Sequence, residues 1–205
     1  MPRVIGLTGN IACGKTLVGH ILLELGVERY IDADALVHRL YQAGQPIALK
    51  VGETFGPSVL AEDGSVDRRE LGSVVFQNAE EMQRLERIVH PAVSIALQQE
   101  LATISEHGIA TIDAVKLLEG GSGLLCQSKW IVICPEEQEI VRLMERNGLD
   151  REAARVRIRA QPDVTHRLSL VDEVIDNGGS PDETRHQVCA AFERFCKKFR
   201  NQGSF

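Results

Sequence analysis

Residues 9–16 read Gly9-Asn10-Ile11-Ala12-Cys13-Gly14-Lys15-Thr16, the G-x-x-x-x-G-K-[ST] spacing of a phosphate-binding loop. The glycines permit backbone conformations and close approach that a side chain would block, so successive N–H groups from Gly9 to Leu17 can converge on an anion at a helix N-terminus. Lys15 is a mobile cation that reaches outer phosphates, and the Thr16 hydroxyl is a hard oxygen ligand suited to Mg²⁺. This chemistry implies a nucleoside triphosphate. Cys13 has two readings: a thiol activated by the helix N-terminus and Lys15, or a small side chain filling a tight place.

Further residues with chemical potential stand where strands end. The stretch 27–31 is a short strand candidate running into Asp32-Ala33-Asp34, and 109–113 is an apolar strand ending in Asp113. Ligands of open parallel sheets sit beyond the carboxyl ends of the strands, so these carboxylates are candidates for the same crevice as the loop. Asp113 is a candidate Mg²⁺ partner of the Walker B kind. For the Asp32/Asp34 pair, the competing reading is an N-cap on a helix over 35–41. The segment 136–161 carries Arg142, Arg146, Arg151, Arg155, Arg157 and Arg159 on two predicted helices joined near Gly148-Leu149-Asp150. A solvated face with i,i+4 partners such as Gln138 and Arg142 explains most of them. A lid over about 136–165 that brings Arg142 and Arg146 to the transferring phosphoryl is the sharper reading.

These residues must be positioned by strands alternating with helices. Strands over 3–8, 27–31, 109–113 and 130–134, and a strand and turn within 171–179, predict an α/β fold: three layers, with a parallel sheet covered on both faces. The region 46–107 is helical in pattern and reads as an insertion lobe. Its longest helix, 79–106, is expected to kink or restart at His90-Pro91. Ser180-Pro181-Asp182-Glu183 is a capping box opening the last helix, and Phe192, Phe195 and Phe199 make a packed stripe along it.

With 205 residues, one P-loop domain spanning 1–205 is expected, the helical lobe and lid being parts of it. A net charge of -6 gives no sign of a surface for nucleic acid. No run approaches a membrane span and no signal pattern opens the chain, so a cytoplasmic protein without membrane partners is expected. Five cysteines without C-x-x-C argue against a zinc site. None of the six lysines stands in the [NT]-K-x-D motif that reads guanine, which favours a small-molecule kinase over a GTP switch.

Nearly the whole chain resembles the dephospho-CoA kinase family. The resemblance rests on Gly6-Leu7-Thr8-Gly9 leading into the loop, Ile31-Asp32-Ala33-Asp34, Phe55-Gly56, and Asp67-Arg68-Arg69-Glu70-Leu71 through Val75-Phe76. It continues through Leu85-Glu86-Arg87-Ile88-Val89-His90-Pro91, the lid with Arg142, Arg146 and Gln161, and Asp172-Glu173-Val174-Ile175-Asp176-Asn177-Gly178. It implies transfer of the ATP γ-phosphoryl to the ribose 3′-hydroxyl of dephospho-CoA, with Asp34 as general base and Lys15, Arg142 and Mg²⁺ offsetting charge. Arg146 and Asn177 would lie on the ATP side, Asn177 near the adenine. Asp32, His90 and Pro91 would serve the acceptor.

The chain departs from the family loop G-G-I-G-S-G-K at Asn10, Ala12 and Cys13, and Asn10 requires a backbone conformation that asparagine tolerates. The family stretch D-x-P-L-L-x-E stands here as Asp113-Ala114-Val115-Lys116-Leu117-Leu118-Glu119. It lacks the proline and adds Lys116, which is a candidate contact to an acceptor phosphate or a solvent-facing lysine. Competing functions are a P-loop kinase for another acceptor, such as a nucleoside monophosphate, and a nucleotide-binding regulatory protein. The oligomeric state, monomer or weak oligomer, is left open.

Overall fold

The computed structural model describes residues 2–200, Arg200 by its backbone alone. The described chain divides into two compact units, one of residues 2–31 and 104–200 and one of residues 32–103. No described helix is long and apolar enough to cross a membrane.

The first unit is built on a five-stranded sheet in the order β2-β3-β1-β4-β5. Its strands are β1 (Arg3–Thr8), β2 (Arg29–Asp32), β3 (Ile109–Asp113), β4 (Ser128–Ile133) and β5 (Glu173–Asp176). β1 pairs in parallel with both β3 and β4, Leu7 lying opposite Asp113 and Trp130, and β4 pairs in parallel with β5. The α/β class and parallel sheet read from the sequence are borne out.

Both faces of the central strands are buried, which is why β1 and β4 read as continuous apolar runs. On one face Ile5, Leu7, Trp130, Val132 and Ile175 pack against Val18, Ile21 and Leu22 of α1 (Lys15–Glu24) and Val188, Ala191 and Phe195 of α9 (Pro181–Arg200). On the other, a Cβ at Gly6 would meet Leu117 and Cys126, so the segment after β3 lies directly on the strand. The aromatic stripe of α9 is packed as expected: Phe195 and Phe199 meet edge to face at 5.0 Å and Phe192 joins the same cluster. The capping box closes too, Ser180 N–H donating to Glu183 Oε2 (2.7 Å) and Glu183 N–H to Ser180 Oγ (3.2 Å).

Three helices follow β4: α6 (Glu136–Asn147), α7 (Arg151–Arg159) and α8 (Val164–Leu168). α6 and α7 pair through Ile140, Leu143, Ala154 and Ile158, and Ile11 and Ala12 of the phosphate loop pack against that cluster.

The second unit contains α2 (Ala33–Leu40), α3 (Pro46–Phe55), α4 (Arg68–Val75) and α5 (Ala79–Ala102). The helical segment read as 46–107 is centred here. Asp32 caps α2, its Oδ1 accepting from Ala35 N–H at 2.8 Å, so the helix starts two residues earlier than expected and Asp34 falls in its first turn. Of the kink or restart expected at His90-Pro91, the restart does not occur: Pro91 lies inside a single 24-residue helix. A mid-helix proline leaves one carbonyl a turn earlier without its donor. Val89, Val93, Leu97 and Leu101, buried along one side, hold the helix together across it.

Phe195 is 4% exposed at the centre of the α1–α9 face. Phe195→Ala is expected to lower unfolding free energy by about 3–5 kcal/mol, as urea denaturation would measure.

Candidate phosphate-binding site

The loop joins β1 to α1, and its form follows from two glycines and one alanine. Gly9 has φ 144° and Gly14 φ 102°, and the described non-glycine residue with positive φ is Ala12 (63°) rather than Asn10. The conformational demand thus falls two residues later than expected. A Cβ at Gly9 would strike the Val132 carbonyl, and one at Gly14 the Asn177 side chain.

The loop carbonyls are captured by side chains. Lys15 Nζ donates to the carbonyls of Gly9 (3.0 Å) and Asn10 (3.3 Å). Arg142 Nη1 donates to those of Ala12 (3.3 Å) and Cys13 (3.4 Å), and Asn177 Nδ2 to that of Cys13 (2.8 Å). A trans peptide sets its N–H opposite its C=O, so the N–H groups of Asn10, Ile11 and Gly14 point away from these captured carbonyls. Backbone donors without carbonyl neighbours at the N-terminus of a helix make a setting that suits an anion.

Its supports are themselves fixed. Arg142 Nη2 donates to Gln138 Oε1 (3.0 Å) and the Asn177 carbonyl (3.3 Å), and Thr184 Oγ1 donates to Asn177 Oδ1 (2.9 Å). The expected Gln138–Arg142 pair is therefore formed. Arg146 is not brought into this cluster; its Nε bonds Asn147 Oδ1 at 3.1 Å on the exposed side of α6. Both ends of the Asn177 amide are engaged in holding the loop.

Cys13 is fully buried, and burial pushes its thiol up to about 11 against the opposing pull of Lys15. Desolvation wins over the cation and helix terminus, so the reading as an activated thiol is withdrawn and that of a small filler stands. Glu139, on α6, is 5% exposed, and its carboxyl is pushed up to about 7, first by burial and then by Glu136, with Lys15 and Arg142 opposing. No motif marks Glu139. The available signal was its position three residues before Arg142, on the apolar side of α6.

Asp113 ends β3, is 8% exposed and accepts a hydrogen bond from Tyr30 Oη through Oδ2. The Ala114 N–H donates to the Leu7 carbonyl (3.1 Å), which keeps the start of the following loop beside β1. Lys116 is exposed within that loop, and Thr16 is exposed on the first turn of α1. In the second unit, Asp34 is exposed, His90 is half-buried and Pro91 is exposed. Arg167, overlooked in the sequence, is 3% exposed and donates to Thr8 Oγ1 and the Val115 carbonyl.

A family model described as dephospho-CoA kinase matches residues 3–183. The chain is 40% identical over 194 residues to the dephospho-CoA kinase of Carboxydothermus hydrogenoformans, covering 94% of each. Among solved structures it resembles a Thermus thermophilus protein at 32% identity with TM-score 0.81, and the dephospho-CoA kinase of Campylobacter jejuni at 26% identity with TM-score 0.58. Each match covers 94% of this chain and 97% of the other.

The raised Glu139 carboxyl has a consequence for stability. A group whose folded pKa lies above its unfolded value contributes fully below the ordinary 4.5 and loses that contribution as pH rises through about 7. Glu139→Gln is neutral throughout. Thermal melts across this range should show the variant gaining on the parent as pH rises, with the difference levelling off above about pH 7.

Proposed function

We propose that this chain, which belongs to the dephospho-CoA kinase family, transfers the γ-phosphoryl group of ATP to the ribose 3′-hydroxyl of dephospho-CoA, yielding coenzyme A. The observation that carries this reading is the loop before α1, whose carbonyls are held by Lys15, Arg142 and Asn177, so that the N–H groups of the same peptides are turned from them. Such a site is built for a polyanion.

Phosphoryl transfer has a loose transition state, so the protein's work is alignment and charge stabilisation. The loop holds the phosphates, and Lys15, whose Nζ reaches back over it, supplies a cation that can follow the charge on the transferred group. Arg142 lends positive potential from behind the loop while fixing its carbonyls. Thr16 and Asp113 supply hard oxygen donors of the kind Mg²⁺ prefers. They fit it with the Thr16 hydroxyl exposed and Asp113 steadied by Tyr30. Bound there, Mg²⁺ would neutralise charge on the outer phosphates.

Asp34 is the general base in this reading. Its place in the first turn of α2, just past β2, leaves Asp32 to cap the helix and Asp34 to take the hydroxyl proton. Asn177 acts by bracing the loop, and any contact with the base of ATP would come from its neighbourhood. Asp32, His90, Pro91 and Lys116 are assigned to dephospho-CoA.

Incubation with labelled ATP and dephospho-CoA, adenosine or nucleoside monophosphates tests the reading: transfer confined to dephospho-CoA is expected, and preference for another acceptor would overturn it. Asp34→Asn should cut kcat by about two to four powers of ten with ATP affinity retained, measured by initial rates and by calorimetric titration. Lys116→Ala should raise KM for dephospho-CoA and leave KM for ATP unchanged.

A further inference from the structure

Arg167 belongs to no motif, yet it is among the most buried charged residues of the described chain, 3% exposed. Its Nη2 donates to Thr8 Oγ1 (2.5 Å) and to the Val115 carbonyl (2.6 Å). Thr8 Oγ1 donates to that same carbonyl at 3.1 Å. The Nε lies 3.4 Å from Glu119 Oε1, a carboxylate 42% exposed, and Nη1 has no hydrogen-bond partner among the described residues.

Three segments meet at this guanidinium. Thr8 is the last residue of β1, directly before Gly9; Val115 and Glu119 flank Lys116 in the loop after β3; Arg167 itself lies on α8, beyond the arginine-rich pair α6 and α7. Burying a guanidinium carries an effective penalty of several kcal/mol, and one ion pair to a partly exposed carboxylate offsets only part of it. Packing alone would be better served by an apolar side chain. Geometry is what arginine adds: its planar fork serves two oxygens from one nitrogen while another faces a carboxylate, which the point charge of lysine cannot reproduce.

We propose that Arg167 is a positioning residue for the transfer, locking the loop after β3 to the root of the phosphate loop. The inference rests on the reading above, in which the loop after β3 serves the acceptor and residues 9–16 hold the triphosphate. Arg167 touches neither Lys15 nor the captured carbonyls of the phosphate loop, so its loss leaves ATP binding intact and disturbs the alignment of the acceptor-side loop. A misplacement of about 1 Å at a reacting centre costs on the order of 100-fold in rate.

The test compares Arg167→Lys, Thr8→Val and the double variant by initial rates and thermal melts. Each single variant should lower kcat by about 10- to 100-fold with KM for ATP within about twofold. The loss in the double variant should depart from the product of the two single losses, because Arg167 and Thr8 bond each other and the same Val115 carbonyl. Folded Arg167→Lys and Thr8→Val with parental kcat per folded molecule would overturn the proposal, as would losses that multiply in the double variant. If Arg167→Lys does not fold, Thr8→Val decides alone: reduced kcat at unchanged KM for ATP supports the tie, and parental kcat removes it. The parent assayed alongside separates the two levels. No transfer to dephospho-CoA by the parent sinks the reading beneath, whereas normal transfer with unaffected variants sinks only the role of Arg167.

Discussion

The direction in which the carbonyls of residues 9–13 point is the constraint on which the site depends. A glycine-containing loop has many conformations available, and only those that turn several N–H groups to one side bind an anion. Here the selection is made from outside the loop, by Arg142 and Asn177, with Lys15 closing it from within. Each captured carbonyl commits the N–H of the same peptide to the opposite side. The apolar contacts of Ile11 and Ala12 with the α6–α7 pair fix the same segment from a second direction.

Strand order explains how residues so distant in sequence reach the loop. β1 is central, with β4 and β5 on one side and β3 and β2 on the other. Arg142 lies on the helix after β4, and Asn177 directly follows β5, so that side of the sheet supplies the loop's braces. On the other side, Asp113 ends β3. Arg167 joins the halves of this division within the first unit, because Thr8 ends β1 and Val115 follows β3.

What was legible in the sequence is what local chemistry encodes. The loop spacing, the strand alternation, the capping box and the α9 stripe each depend on neighbours within a few residues, and all are found. The braces depend on partners far apart: Asn177 Nδ2 meets a carbonyl 164 residues away and Arg142 one 130 residues away. Periodicity carries no trace of such ties, so Arg142 read as a lid cation rather than as a brace, and Arg167 did not register. Environment also decides what local sequence leaves open. Helix terminus and lysine at Cys13 suggested an activated thiol, but complete burial outweighs both. Proline within α5 suggested a kink or a restart, and the apolar side from Val89 to Leu101 carries the helix through without a restart.

Glu139 shows how the same burial shapes the field at the phosphate loop. A charged carboxylate near Lys15 would work against an incoming phosphate, both by repulsion and by neutralising the lysine. Burial instead raises this carboxyl to about 7, so at neutral pH it carries only part of a full negative charge against the positive potential of Lys15 and Arg142. A phosphate on the loop adds like charge nearby and drives the carboxyl further towards its neutral form. Nucleotide binding and protonation of Glu139 therefore reinforce each other. An acidic residue on the brace helix is compatible with an anion site because its surroundings raise its carboxyl to about 7 and so reduce its negative charge.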